Sequence, residues 1–221
     1  HKVFAAKDRP LTDPLIVHVN EASHAYSLWK ATATATTNDE AAVETRALKA
    51  LVDAFWPGPL TLVALASESV PPVVMAGTGF VAARSPQHAL ARRLIAAALV
   101  PLAAPSANKF GHVSPTTAQH VWDDLSGEDV WILEQQQSEN DNGAKGDETS
   151  TSCHVGVESS VAKLEMDEDA TSGALTVLRQ GAISVANMQQ ALDNVGLGSV
   201  ISVVAKSNQR VTEVTATVAP G

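Results

Sequence analysis

Apolar residues first follow a helical spacing in residues 39–55. Val43, Ala47, Leu51 and Phe55 recur at intervals of four, which places them on one face of an α-helix. The sequence WPGP follows directly, and its prolines end a helix. The pattern therefore predicts an amphipathic helix that stops at Phe55.

Short continuous apolar runs, which are typical of buried strands, come next. Residues 60–66 (LTLVALA) and 79–84 (GFVAAR) are two such runs. Residues 87–99 (QHALARRLIAAAL) form a predicted helix between the second strand and the run VPLAAPSA. Strand and helix therefore alternate through the first half of the chain.

The second half is richer in strand patterns. We predict strands in VWILE, VGVESSVAKLEM and ALTVLRQG, and a last one in SVISVVA from residue 199. Residues 184–194 (SVANMQQALDN) are a predicted helix with Ser184 at its N-cap. Together these elements predict an α/β domain of three layers with a twisted, mixed sheet.

Two segments do not fit a packed element. Residues 30–39 are a short run rich in threonine and alanine, and residues 135–152 are polar with Ala144 as their one apolar side chain. A segment of this composition cannot bury enough apolar surface to order itself. We interpret both as solvent-exposed insertions.

Composition narrows the class of protein. The chain has 221 residues, of which 45% are hydrophobic, enough for one large domain or a domain with an appendage. It contains no apolar run of about 18 residues, so we expect no membrane span. A single cysteine, Cys153, rules out an internal disulfide. With no signal-peptide pattern at the start, the cytoplasm is the expected location.

The charge is acidic and unevenly distributed. The net charge is −9, but residues 1–120 carry ten Lys and Arg against eight Asp and Glu, whereas residues 121–221 carry five against sixteen. Non-specific nucleic-acid binding depends on a broad basic surface that neutralises phosphates. The composition argues against such a surface and leaves room for a small basic cavity in the first half.

A cluster of polar side chains follows the run VPLAAPSA. Within a dozen residues lie Ser106, Asn108, Ser114, Thr116 and Thr117. Ser114 before Pro115 is a typical helix start, with serine at the N-cap and proline at the first helical position. Free N–H groups at such a turn bind anions, most often phosphate. The alternative for Ser114 is a helix cap without a ligand, and the two roles can coexist.

Two cationic residues lie near the start of the chain. Lys7 and Arg9 are two residues apart, which on an extended segment places both side chains on the same side. Arginine binds phosphate as a bidentate fork and lysine as a point charge. The alternative is a solvated, exposed pair before a turn. Together with the polar cluster, the pair predicts a nucleotide site.

Two other kinds of site are not supported. No G-x-x-x-x-G-K-[ST] sequence occurs, which argues against a P-loop ATPase. His112, His120, Cys153 and His154 lack the spacing of zinc ligands. We therefore predict no metal ligand set belonging to the protein alone.

Eight sequence blocks occur in an order that is similar to a known family. They are Lys-x-Arg-Pro, PLIVH, FWPGPLTLV, VAARSP, APSAN, SPTTA, GVESS and VLRQG. In this order they resemble the Sua5/YrdC/YciO family over residues 1 to about 185. The resemblance implies a YrdC-like domain with a concave substrate cavity and the activity of a threonylcarbamoyl-AMP synthase. Such an enzyme forms L-threonylcarbamoyladenylate and pyrophosphate from ATP, L-threonine and bicarbonate, for the t6A modification of tRNA.

The resemblance implies a set of ATP-binding residues. They are Lys7, Arg9, Asp13, Ser106, Asn108, Ser114 and Arg179, of which Lys7, Arg9, Ser106 and Asn108 are the implied catalytic residues. Asp13 stands where the family commonly has asparagine. A carboxylate near phosphate is repelled unless it holds Mg²⁺ or a ribose hydroxyl. Mg²⁺, bound with ATP, is the implied cofactor.

A second set is implied for L-threonine. It comprises His18, Arg84, Ala104 and Ser159. Without the resemblance, His18 on an apolar strand is more often a core histidine. Arg84 ends an apolar strand, where an unpaired charge is costly, so it needs a partner or solvent. That partner is either the threonine carboxylate, as the resemblance implies, or an acidic side chain in a salt bridge.

The resemblance also implies a domain layout. Sua5-type members begin with a strand carrying Pro-Thr-Glu-Thr-Val-Tyr-Gly-Leu, and they continue past a Pro-Gly into a linker and a second domain. We therefore expect residues 1–198 to be a YrdC-like domain without that first block, and residues 199–221 to be its last strand and the start of the linker. The implied downstream partner is the transferase machinery that acts on tRNA, and direct tRNA binding stays open.

One rival interpretation comes from a different functional class. A non-catalytic family member could bind nucleotide or structured RNA through the same surface. The acidic net charge argues against binding of structured RNA. The hydroxyl cluster beside the basic pair favours the enzyme, since an RNA-binding surface does not require it.

Overall fold

A mixed β-sheet forms the centre of the molecule. The computed structural model describes residues 2–33, 42–134 and 158–206, and within them seven strands form one sheet. The strands are β1 (Ile16–His18), β2 (Leu60–Leu65), β3 (Phe80–Arg84), β4 (Leu102–Ala103), β5 (Ser160–Met166), β6 (Gly173–Arg179) and β7 (Ile201–Ala205). Their order is β4-β1-β3-β2-β5-β6-β7. The pairs β1–β3, β2–β5 and β6–β7 are parallel and the others antiparallel, which confirms the predicted mixed α/β class.

Helices connect these strands. They are α1 (Lys2–Lys7), α2 (Ala22–Tyr26), α3 (Lys30–Ala33), α4 (Val43–Phe55), α5 (Pro72–Met75), α6 (Ala89–Ala98), α7 (Ala118–Leu125) and α8 (Val185–Asp193). The predicted helices at residues 39–55 and 87–99 correspond to α4 and α6. Ser184 caps α8 as predicted, in a reciprocal pair with Asn187.

Successive side chains of each strand point to opposite faces of the sheet, and one of these faces is buried. Leu62, Ala83, Leu164 and Leu175 are at most 1% exposed and belong to one core cluster. Helices α4 and α8 contribute to that cluster and contact one another. The core therefore occupies one face of the sheet, and alternate residues point to the other face.

That opposite face carries polar residues at one edge. His18 ends β1 and pairs in register with Arg84, which ends the parallel strand β3. Thr61 of β2 and Arg179 at the end of β6 lie toward the same edge, because Val161 of β5 is in register with both. The sheet topology thus gathers residues that are distant in sequence.

Two local predictions are wrong. Helix α7 begins at Ala118, and its N-cap is Thr117, whose hydroxyl accepts a hydrogen bond from the His120 N–H. The Ser114 hydroxyl instead donates to Glu158 at 2.9 Å, so Ser114 is not a cap. The run VWILE forms no strand in residues 130–134, and Trp131 is 96% exposed.

The predicted extended segment around Lys7 is also wrong. Lys7 is the last residue of α1, and Asp8 follows it in the left-handed region with φ of 55°. The Arg9 N–H returns to the Phe4 carbonyl at 2.9 Å, which closes the helix end. Lys7 and Arg9 therefore lie on either side of a helix end, not on one extended segment.

The two predicted insertions fall largely outside the described residues. Of residues 30–39, the first four form α3. Residues 135–152 lie outside the part of the chain that the structure describes. Among the described residues, none of the helices is long and apolar enough to cross a membrane.

Replacing Ser160 with alanine should lower the free energy of unfolding by about 1–3 kcal/mol, because it leaves buried polar groups without partners. The Ser160 hydroxyl donates to the Ile183 carbonyl at 2.6 Å and accepts from the Gly181 and Ile183 N–H groups. Urea unfolding followed by circular dichroism measures the change. Ser202→Ala, at an exposed position of β7, is the control and should change the value by less than about 0.5 kcal/mol.

Candidate functional site

A cavity of about 320 Å³ lies at the polar edge of the sheet. Eight residues predicted from the sequence line it: Arg9, His18, Arg84, Ala104, Ser106, Ser114, Ser159 and Arg179. Pro14, Ile16, Pro105 and Glu158 complete the lining. Three arginine and three serine side chains from distant parts of the chain thus meet in one space, an arrangement suited to an anionic ligand.

Arg9 is held at the cavity by its own neighbours. Its guanidinium pairs with the Asp13 carboxylate at 2.9 Å and donates to the Pro14 carbonyl at 2.8 Å. The Arg9 side chain is 14% exposed, whereas that of Asp13 is 37% exposed. Asp13 itself does not line the cavity. The Asp13 carboxylate therefore offsets the charge of Arg9 without itself lining the cavity that Arg9 lines.

A hydrogen-bonded network runs along one wall. Arg179 donates to the Ser159 carbonyl and hydroxyl, each at 3.0 Å, and pairs with Glu158 at 2.8 Å. The Ser159 hydroxyl also lies 3.1 Å from that of Thr61. Glu158 accepts from Ser114 with its other oxygen. One carboxylate therefore links Ser114 and Arg179.

His18 and Arg84, which are in register on neighbouring strands, form a second wall of the cavity. Burial first, and the neighbouring Arg84 charge second, lower the pKa of His18 below 6.5, and the backbone of Leu102 offsets part of this. The Nδ1 atom of His18 is buried and has no hydrogen-bond partner among the described residues. Arg84 donates from Nε to the Gly58 carbonyl at 3.1 Å. At neutral pH this wall therefore presents a neutral imidazole beside a guanidinium.

Acidification should destabilise the protein through His18. Between its lowered folded-state pKa and the unfolded value near 6.5, the unfolded chain binds the proton and the folded chain does not. The free energy of unfolding should therefore fall as the pH drops below about 6.5. Urea titrations at about pH 7.5 and about pH 5.5 should show a smaller fall in His18→Gln than in the wild type.

The control for this titration is His24→Gln. It removes an exposed histidine of α2 and should retain the wild-type fall. An equal fall in His18→Gln and the wild type would show that the burial of His18 has no such consequence.

Lys7 and Asn108 are close to the cavity without lining it. Lys7 is 5% exposed, and its ammonium donates to the Ser106 carbonyl at 2.6 Å and to the Asn108 carbonyl. Burial first, and Arg9 second, lower the pKa of Lys7. Asn108 is buried as well, and its amide donates to the carbonyls of Lys109 and His112. Both side chains are thus bonded to one loop behind the cavity wall.

A second cavity of about 310 Å³ adjoins the first. The two share Ser106 and Ser114, and Thr117 at the start of α7 lines the second. Leu90 and Val121 add apolar surface there. A ligand with a polar and an apolar part can therefore extend from one cavity into the other past the two shared hydroxyls.

Sequence reasoning missed two members of the site. Glu158 and Thr61 were not predicted, although Glu158 directly precedes the predicted Ser159. The position of Glu158 within GVESS is a usable signal, because Glu158 and Ser159 directly precede β5, which begins at Ser160. Thr61 lies inside an apolar run, and only the pairing of β2 with β5 brings it to Ser159.

A family model described as telomere recombination, Sua5_yciO_yrdC, matches residues 1–144. The chain belongs to the Sua5/YciO/YrdC family. The predicted resemblance is thereby confirmed. Threonylcarbamoyl-AMP synthase from Schizosaccharomyces pombe is 36% identical over 200 residues, which cover 86% of this chain and 44% of that protein. The Pyrococcus abyssi protein of the same name is 34% identical over 194 residues, covering 88% and 47%.

Solved structures of the family show the same fold. The P. abyssi Sua5 structure complexed with L-threonine has a TM-score of 0.66 and 31% identity, and the match covers 91% of this chain and 48% of that one. Escherichia coli YciO, at 15% identity and a TM-score of 0.54, shares the fold. The chain spans less than half the length of the curated relatives described above.

Proposed function

We propose that this chain carries the catalytic domain of a threonylcarbamoyl-AMP synthase, which makes L-threonylcarbamoyladenylate and pyrophosphate from ATP, L-threonine and bicarbonate. One observation carries the proposal. Three guanidinium groups, from Arg9, Arg84 and Arg179, meet three serine hydroxyls in a single cavity. The proposal is supported by relatives of that name at 34–38% identity.

The proposed chemistry needs positioning and charge more than covalent catalysis. The threonine amine and bicarbonate first give a carbamate with loss of water. A carbamate oxygen then attacks the α-phosphorus, the bond to the bridging oxygen breaks, and pyrophosphate leaves with the electron pair. Fixed cations and hydroxyls lower the cost of the negative charge gathered at that phosphorus.

Threonine is proposed to bind on the wall of His18 and Arg84. The guanidinium is suited to the threonine carboxylate, because a planar fork matches two carboxylate oxygens. His18, kept neutral by the lowering of its pKa, can hydrogen-bond the substrate without adding charge. Ala104 and Ser159 line the same cavity and complete the proposed threonine site, with the Ser159 hydroxyl also bonded to Arg179 of the neighbouring wall.

ATP is proposed to bind between Arg9 and the wall of Arg179. Both guanidinium groups line the first cavity, and the Ser106 and Ser114 hydroxyls lie at its border with the second. We place the phosphates at this border and the nucleoside in the second cavity, which has more apolar lining. Asp13 contributes by orienting Arg9 through their ion pair and does not contact ATP in this proposal.

Mg²⁺ is proposed to bind with ATP. Among residues 2–33, 42–134 and 158–206, no group of three or more His, Cys, Asp and Glu could hold a metal by itself. Mg²⁺ commonly uses one or two carboxylates together with substrate phosphates, and Glu158 is the carboxylate that lines the cavity. When bound, the ion neutralises phosphate charge and assists the departure of pyrophosphate. We therefore propose Glu158 as the one protein ligand of the ion.

The product places the enzyme before an acyl-transfer step. An acyl adenylate is an activated acyl donor, so the proposed partner is transferase machinery that moves the threonylcarbamoyl group to tRNA. A net charge of −9 supports delivery of the adenylate rather than tight binding of tRNA to this chain. The cytoplasm, where ATP and tRNA are available, is the proposed location.

The proposal is tested by incubating the protein with ATP, Mg²⁺, L-threonine and radiolabelled bicarbonate. We expect a labelled acyl adenylate and an equal amount of pyrophosphate, neither of which should form when threonine is omitted. ATP binding without any labelled adenylate would favour the rival interpretation, a nucleotide-binding family member without this activity.

A further inference from the structure

The segment between β4 and α7 is a loop whose position decides what the cavity presents. We call residues 106–112 the Asn108 loop. Its first residue, Ser106, lines both cavities, while Asn108 is 5% exposed. The loop contains no helix or strand, so its shape depends on hydrogen bonds to its surroundings.

One anchor of the Asn108 loop comes from Lys7 at the end of α1. The buried ammonium donates to the Ser106 and Asn108 carbonyls, and the Lys7 carbonyl accepts from the Phe110 N–H at 2.8 Å. Lys7 does not line either cavity. Two of its three N–H donors are thus committed to the loop backbone.

The second anchor comes from Asp124 on α7, which lines neither cavity. Its carboxylate accepts from the Lys109 N–H at 3.0 Å and lies 2.9 Å from Nδ1 of His112. The hydrogen bond from His112 is the main reason why the pKa of Asp124 is lowered. The carboxylate therefore stays ionised, and both of its contacts end on the Asn108 loop.

We propose that Lys7 of α1 and Asp124 of α7 are positioning residues that together hold the Asn108 loop, so that Ser106 faces the substrate cavity. Lys7 then acts through the loop backbone instead of binding phosphate directly. This inference rests on the proposed function for the identity of the substrate. The anchoring itself concerns only residues of this chain.

The anchoring is tested by hydrogen exchange with no substrate present. In Lys7→Met and in Asp124→Ala, amides of residues 106–112 should exchange about tenfold faster than in the wild type. Lys2→Met removes an exposed lysine of the same helix, and Asp123→Ala removes the exposed carboxylate next to Asp124. Both controls should exchange at the wild-type rate across the loop.

Kinetics then separate positioning from a purely structural role. Asp124→Ala should lower kcat/KM for ATP about tenfold in the folded fraction, because a misplaced catalytic loop loses transition-state contacts. Asp124→Asn keeps an acceptor for the Lys109 N–H and should stay within about twofold of the wild type. An anchor that only stabilises the fold would lower the melting temperature of Asp124→Ala and leave kcat/KM unchanged.

Hydrogen exchange and kinetics together show whether the anchoring or the proposed function is wrong. If Lys7→Met is unfolded, Asp124→Ala alone decides the anchoring, since the Asp124 side chain is partly exposed whereas Lys7 is buried. Wild-type exchange rates in Asp124→Ala would overturn the inference even if the protein forms the adenylate. Faster exchange in a protein that forms no adenylate would keep the anchoring and reject the proposed function.

Discussion

Replacing Arg9 with alanine should raise the dissociation constant for ATP at least tenfold. Losing one charge-assisted hydrogen bond costs about 1.5–3 kcal/mol, and about 1.4 kcal/mol corresponds to a factor of ten. Arg9 lines the cavity and its guanidinium is fixed by Asp13 and Pro14, so it is ordered before ATP arrives. Isothermal titration calorimetry measures the effect, and threonine affinity should change less.

The companion variant for Arg9 is Asp13→Asn. It removes the negative charge 2.9 Å from the Arg9 guanidinium while keeping the size of the side chain. We expect ATP to bind about twofold to fivefold more tightly, because the asparagine amide oxygen can still accept from Arg9 and orient it, while no carboxylate opposes the attraction between Arg9 and phosphate. A folded Arg9→Ala variant with unaltered ATP affinity would mean that the nucleotide site lies elsewhere.

Replacing Arg84 with alanine should raise the dissociation constant for L-threonine at least tenfold. Arg84 ends β3 beside His18, which is uncharged at neutral pH, so this wall offers the threonine carboxylate a single cation. Losing that charge-assisted pair costs about 1.5–3 kcal/mol, as for Arg9. Titration of threonine into the protein measures it, and ATP affinity should fall by a smaller factor.

The control for Arg84 is Arg93→Ala, which removes an exposed arginine of α6. It should leave both affinities within about twofold of the wild type. Equal losses of ATP and threonine affinity in Arg84→Ala would contradict the division of the cavity into two substrate walls. The most informative result is therefore the contrast between the two variants. Arg9→Ala should weaken mainly ATP binding, and Arg84→Ala should weaken mainly threonine binding.

Local sequence patterns were sufficient to locate most of the elements. The apolar run around residues 79–84 predicted a strand that ends at Arg84, and β3 has that end. Ser184 before an amphipathic run predicted the cap of α8, where its hydroxyl accepts from the Asn187 N–H. These features depend on neighbours within a few residues, so the sequence contains all of the information that they need.

The sequence also predicted which residues would be near one another, through the order of the family blocks. The structure brings eight of the eleven predicted site residues to one cavity. It does so because β1 and β3 are parallel and end at the same edge, with β6 ending close by. That pairing cannot be derived from any single block, since each strand alone is compatible with several partners.

Only the tertiary structure decided what each of these groups bonds to. The sequence placed Ser114 at a helix start and Lys7 beside a phosphate, but Ser114 donates to Glu158 and Lys7 to the carbonyls of the Asn108 loop. The residues next to a serine or a lysine in the sequence do not specify which acceptor its hydroxyl or ammonium will bind. The sequence by itself thus determined most of the longer helices and strands, the family and the set of polar residues. Contacts between segments as much as about a hundred residues apart decided their partners, because hydrogen bonds depend on distances that only the folded chain defines.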